Sequence, residues 1–150
     1  MKKASCYALA VASVFLAAGP SGQAQSQGAS SAARPSLSFE FFKEKVEPVF
    51  LKKREGHTRC AVCHTVNNAP FHLVPLSPGA TTWNEAQSRQ NFELVQRVVQ
   101  PGYIDSPLIK HPLAEEAGGD PHHGGAQQFA SKEDPDWLTL RAFVMGENAK

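Results

Sequence analysis

Two thiols and an imidazole stand together at Cys60-Ala61-Val62-Cys63-His64. In a helical segment Cys60, Cys63 and His64 fall at i, i+3 and i+4 and share one face. Thiols so placed can add across the two vinyl groups on one edge of a porphyrin, leaving the histidine aimed at the iron as an axial ligand. That is the chemistry of c-type haem attachment, and C-x-x-C-H is its signature. Two other chemistries use the same residues. A structural zinc ion would take Cys60 and Cys63 with two further ligands, for which five other histidines are present. A thiol redox pair would use the cysteines alone, in a βαβ setting that this sequence does not offer.

An iron held by His64 has a second axial position. Met145 closes a helical stretch next to Gly146, so its sulfur would lie along the helix surface. His57 precedes the motif too closely to reach the opposite face of a porphyrin. His111 follows Leu108-Ile109 and is restricted by Pro112, while His122 and His123 lie between Gly118-Gly119 and Gly124-Gly125. Glycine lets a backbone approach a flat macrocycle closely, which favours that loop.

These groups need elements to hold them, and the chain is read from its start for that purpose. Met1-Lys2-Lys3 is followed by a nearly unbroken apolar run from Ala4 to Ala18, then by Gly22-Gln23-Ala24. This is the pattern of a secretory signal peptide at 1–24, cleaved after Ala24. The apolar run falls short of the roughly 20 residues needed to span a bilayer, so no stable membrane span is expected after cleavage. Cys6 leaves with the leader, and the mature chain then holds only Cys60 and Cys63. Export to the periplasm agrees with thioether attachment of haem, which takes place outside the cytoplasm.

The chain has 15 Lys and Arg against 14 Asp and Glu; without Lys2 and Lys3 it carries about one net negative charge. Nothing in that balance points to nucleic acid. Residues 25–36 are small and polar and read as a flexible linker, and the folded domain is placed at 37–147.

Within the domain, Phe39, Phe42, Val46, Val49 and Phe50 recur at helical spacing behind Ser36 or Ser38, with Pro48 set to kink the helix or end its regular part. Lys52, Lys53 and Arg54 follow. They suit a helix C-terminus by the dipole argument, or a positive docking face beside the haem edge, with Arg59 added. Pro70, Pro75, Pro78 and Gly79 exclude a long helix, so Phe71, Leu73, Val74 and Leu76 would wrap irregularly over one haem face. A helix is expected from Glu85 to Val99 with Phe92, Val95 and Val98 or Val99 buried, and a short helical turn at Asp105–Ile109. A last helix starts at Asp134-Pro135 and stops at Gly146.

The order of these pieces resembles the class I cytochrome c fold, and more closely the planctomycete-type cytochrome c group of exported bacterial haem domains. The matching residues are Val46-Glu47-Pro48-Val49-Phe50, the Cys60–His64 motif, Gln100-Pro101-Gly102 with Ser106-Pro107-Leu108, and Gly118-Gly119 with His123-Gly124-Gly125 before Asp134-Pro135-Asp136-Trp137. The resemblance covers about residues 38 to 146. It departs from ordinary class I cytochromes in having no methionine in the late loop, where it aligns His123 with the family's histidine.

The resemblance implies an all-α domain wrapped around one haem c, bound through Cys60 and Cys63, with His64 and His123 as axial ligands. It further implies an electron carrier and not an enzyme, exchanging single electrons with a donor and an acceptor redox protein. A haem enzyme or gas sensor with an open sixth site, and a zinc-stapled interaction module, remain the alternatives.

Overall fold

The computed structural model describes residues 33–66, 71–124 and 126–147. The expected leader at 1–24 and positions 25–32 of the expected linker lie outside the described residues. Among the described residues there are helices and no strand; Leu113 and Phe129 form an isolated parallel bridge. The expectation of an all-α chain holds at that level.

Helix α1 is continuous but not uniform. It runs through Phe39–Phe41, a π segment Phe42–Val46, and Glu47–Leu51. Ser38 caps it, its hydroxyl accepting from the Phe41 N–H at 3.2 Å. Pro48 has no N–H and crowds the carbonyl four residues back, so the regular ladder cannot pass through it. The widened turn ahead of it, in which the Glu47 N–H donates to the Phe42 carbonyl, accommodates the proline, and the helix continues to Leu51.

Phe42, Val46, Val49 and Phe50 bury the inner face of α1. Phe42 is the centre of the core, with the rings of Phe92, Phe143 and Phe50 at 5.4, 5.8 and 6.2 Å. Those contacts join α1 to α3 (Glu85–Gln96) and α5 (Pro135–Met145). Between them lie α2 (Cys60–Cys63) and α4 (Pro107–Lys110).

Helix α3 opens on a capping box in which Asn84 and Gln87 satisfy each other's backbone N–H groups. It stops at Gln96, three residues short of the expected Val99. Val95 and Val99 are buried as expected and Phe92 is half-buried, but Ser88 and Asn91 are fully buried too. Apolar periodicity could not mark those two. In front of α4, the Ser106 hydroxyl accepts from the Gln100 N–H at 3.0 Å and does not cap its own helix.

Helix α5 follows the sequence closely. Asp134 Oδ1 accepts from the N–H groups of Asp136 and Trp137, Pro135 occupies the first turn, and Gly146 ends the helix at φ +68°. The Trp137 Nε1–H donates to the Ile109 carbonyl at 2.9 Å and ties α5 to α4.

The basic cluster after α1 has a role inside the fold. Lys52 donates to Asp136 at 2.8 Å, and Arg54 bridges Asp134 and Asp136 with its guanidinium 4.6 Å above the Phe129 ring. Lys52 and Arg54 therefore lock the end of α1 to the start of α5, and their charges are matched there. For these two side chains the long-range pairing is a role that neither the docking face nor the helix-end reading contained.

The loop between α4 and α5 is closed at its base. Gln128 and Phe129 donate to the Pro112 carbonyl at 2.7 and 3.0 Å, and Ala114 donates to the Phe129 carbonyl at 2.8 Å. A 3-10 turn at Glu115–Ala117 and Gly119 fold the ascending arm onto this base. A Cβ on Gly119 would lie 1.9 Å from the Leu113 carbonyl oxygen, so glycine is required.

Candidate functional site

The C-x-x-C-H segment forms a turn of helix, the condition under which its three side chains share one face. Cys60–Cys63 is helical, and the His64 N–H closes it by donating to the Cys60 carbonyl at 2.9 Å. Cys60 is half-buried and Cys63 is exposed. His64 leans on the Phe71 ring, 4.6 Å between centroids, and its Nδ1 lies 2.8 Å from the Phe71 carbonyl oxygen. The Leu73 N–H donates to the His64 carbonyl at 2.6 Å, so the 71–74 segment holds this histidine by both backbone and ring.

His123 is held in the same manner. Its Nδ1 lies 2.8 Å from the Ala126 carbonyl oxygen, and the Ala126 N–H returns to the His123 carbonyl at 3.1 Å. Ala126 adopts φ +67°, a left-handed conformation that costs a non-glycine residue about 1–2 kcal/mol. Strain of this kind gathers where surrounding structure fixes a functional geometry.

A ring whose Nδ1 donates to a carbonyl carries its proton there and keeps a free lone pair on Nε2. His64 and His123 are both in that arrangement, and their ring centroids stand 6.2 Å apart. An imidazole nitrogen binds a transition metal at about 2.0–2.1 Å, so two rings on opposite sides of one metal would stand about 6.3 Å apart between centroids, and two at a tetrahedral angle about 5 Å. The observed spacing fits the first of these. Burial lowers the His64 pKa, and His123 and His72 push it the same way against the Phe71 carbonyl. The ring is thereby kept neutral, the form that ligates metal.

The other candidates for the distal position are placed elsewhere. His111 is exposed, with its Nδ1 2.6 Å from Asp120 Oδ2, which pins the ascending arm of the loop. His122 is exposed, Met145 lies half-buried in the last turn of α5, and His57 buries its Nδ1 in the α1–α2 connection. Among the described residues no group of three or more His, Cys, Asp and Glu is placed to hold a metal ion by itself.

The thiols are poorly suited to redox exchange. Burial pushes the Cys60 thiol up to about 11, and exchange requires a thiolate. Two recesses flank α1 and α2. One of about 220 Å³ is lined by Ala61, Val62 and Thr65, the side of α2 turned away from Cys60, Cys63 and His64. The other, about 590 Å³, is bordered by Glu47, Pro48, Thr81, Thr82 and Trp83. Neither is lined by His64 or His123, so the site is defined by ligand geometry and not by these recesses.

Sequence reasoning did not find the two carbonyls that orient the imidazoles, at Phe71 and Ala126, because any residue type supplies a carbonyl. It also missed the Arg54 clamp, for which Asp134-Pro135-Asp136 gave only a helix-start signal.

No family model, no curated protein and no solved structure matches the chain. Among the described residues no helix is long and apolar enough to cross a membrane.

Proposed function

We propose that this chain is an exported monohaem c-type cytochrome of the planctomycete-type group, folded in the class I manner, that passes single electrons between partner redox proteins in the periplasm. The observation that carries this reading is the pairing of His64 and His123 at 6.2 Å beside the Cys60–Cys63 turn. His64 and His123 would hold the iron of a haem, whose own macrocycle would supply the further ligands that a bare ion would lack here.

The chain's own residues would do the following. Cys60 and Cys63 anchor one edge of the haem covalently. The carbonyls of Phe71 and Ala126 fix the imidazole tautomers and raise ligand basicity. The loop base at Pro112, Ala114 and Phe129 would hold the loop that carries His123. The haem itself supplies reversible one-electron chemistry, and two imidazole ligands favour a low reduction potential over a His/Met pair. With both His64 and His123 available to the iron, the haem would serve a carrier and not an enzyme or gas sensor with an open site.

Visible spectra of protein recovered from a haem-attaching periplasm test this reading. A low-spin spectrum in both oxidation states, without a far-red sulfur-to-iron band, is expected. His123→Ala should become high-spin and bind carbon monoxide when reduced, while His111→Ala should not. A low-spin His123→Ala protein would remove His123 from the assignment.

A further inference from the structure

Glu47 is a charged side chain placed where charge is expensive. It is 5% exposed, on the inner side of α1 one residue before Pro48. The Ser88 hydroxyl donates to its Oε2 at 2.9 Å, while Oε1 is buried without a hydrogen-bond partner of good geometry. The Asn91 amide lies beside it with an equally unpaired Nδ2, close enough to favour the carboxylate but not aligned to it. Burial dominates and pushes the carboxyl up to about 7, against the opposing influence of Ser88, Lys43 and Asn91.

The surrounding charges do not explain the group. Lys43 is paired to Glu85, whose own charge raises Glu47, and Lys52, which borders the same recess, is paired to Asp136. Among the described residues Glu47 thus has no ion-pair partner of its own. It does have a route to water, since it borders the 590 Å³ recess with Thr81 and Thr82.

The polar cluster also leads to the proposed haem ligand. Asn91 Oδ1 accepts from the Val74 N–H at 2.8 Å, the neighbouring Leu73 N–H donates to the His64 carbonyl, and Phe71 in the same segment receives the His64 ring N–H. The segment that orients His64 is anchored on the side chain that contacts Glu47. A mechanical link through Asn91 and residues 71–74 therefore joins this carboxyl's cluster to the axial histidine.

We infer that Glu47 is a redox-linked proton site, so that the electron carrier is also a proton carrier. The inference rests on the haem reading above. On one-electron reduction of the bound haem by the donor redox protein, the Glu47 carboxylate takes up one proton from water through the recess and becomes a neutral carboxyl. Transfer of the electron to the acceptor releases that proton to water. An added electron disfavours a carboxylate buried in the same core, which sets the direction of the coupling.

The test is the reduction potential of the intact haem-loaded protein titrated from pH 5 to 9, with the carboxyl C=O stretch followed by redox-difference infrared spectroscopy. The wild type should show a potential that falls with rising pH around neutrality and a protonated-carboxyl band that grows on reduction. Glu47→Gln should flatten the potential in that window and remove the band. Ser88→Ala, which deletes the hydrogen bond favouring the carboxylate, should move the window to higher pH and serves if Glu47→Gln does not fold. A haem-loaded wild type with a pH-independent potential, or a slope unchanged in both variants, overturns the inference alone. A protein that carries no haem overturns the function as well.

Discussion

Replacing Arg54 with methionine keeps the stem of the side chain and removes the charge that ties α1 to α5. Its guanidinium donates to Asp134 at 3.0 and 3.3 Å and also to Asp136, and it lies over Phe129. The side chains of Arg54, Asp134 and Asp136 are 17%, 23% and 17% exposed. That places the cluster between a surface pair, worth about 0–1 kcal/mol, and a buried one whose breaking costs about 3–5 kcal/mol. Lys52 and the α5 backbone N–H groups remain to support the two carboxylates, so the loss is about 2–3 kcal/mol. For a domain of this size that lowers Tm by roughly 10 °C.

The pH dependence follows from Asp134. Burial alone would raise its carboxyl, but hydrogen bonds from Arg54 and from the N–H groups of Asp136 and Trp137 outweigh it and hold the pKa below the ordinary value. A depressed carboxyl stabilises the fold above its unfolded pKa and ceases to do so as pH falls through the folded one. The difference between wild type and Arg54→Met in urea unfolding should be full at pH 7 and shrink below about pH 4. Lys53→Met, on the exposed surface beside it, should stay within about 0.5 kcal/mol of wild type. A loss under about 1 kcal/mol for Arg54→Met at pH 7 would place the cluster with surface pairs and refute the clamp.

Three further outcomes follow from the same contacts. Gly119→Ala should unseat the loop that carries His123, because its Cβ would meet the Leu113 carbonyl oxygen at 1.9 Å; a variant that keeps wild-type stability and spectrum would contradict that close approach. Trp137→Phe leaves the Ile109 carbonyl without its 2.9 Å donor and should cost about 1–3 kcal/mol in thermal unfolding, with no cost counting against the bond. Glu47 has a raised carboxyl, so its contribution to stability is fully present below the ordinary value of 4.5 and is lost as pH rises through about 7. Glu47→Gln should therefore improve relative to wild type between pH 5 and pH 8 in urea unfolding, and a constant difference would refute the raised pKa.

What could be read beforehand divides along the physics. Asp134, Pro135 and Gly146 mark α5 because caps and stops act locally, through residue types that suit those backbone positions. The all-α content and the turn at Cys60–Cys63 were legible for the same reason. Ser88 and Asn91 were not, since polar residues enter a core only through partners such as Glu47 and Val74 that lie far away in sequence. The Arg54 clamp joins positions some 80 residues apart, and the cluster Lys52-Lys53-Arg54 looks like a surface until Asp134 and Asp136 arrive beside it. For the distal position, the residues left His111, His122, His123 and Met145 open, and the resemblance singled out His123. In the structure the His123 ring lies 6.2 Å from that of His64, with Ala126 supplying the carbonyl that orients it, while His111 is paired with Asp120.

The central claim is one haem bound covalently at Cys60 and Cys63. Intact mass spectrometry of the denatured polypeptide, followed by digestion and sequencing of the peptide containing residues 60–64, measures it directly. The account predicts a mass increase of one haem on the chain, resistant to acid-acetone extraction, with both cysteines modified in that peptide. A polypeptide at its unmodified mass, with Cys60 and Cys63 recovered as free thiols or bound to zinc under native conditions, would contradict it.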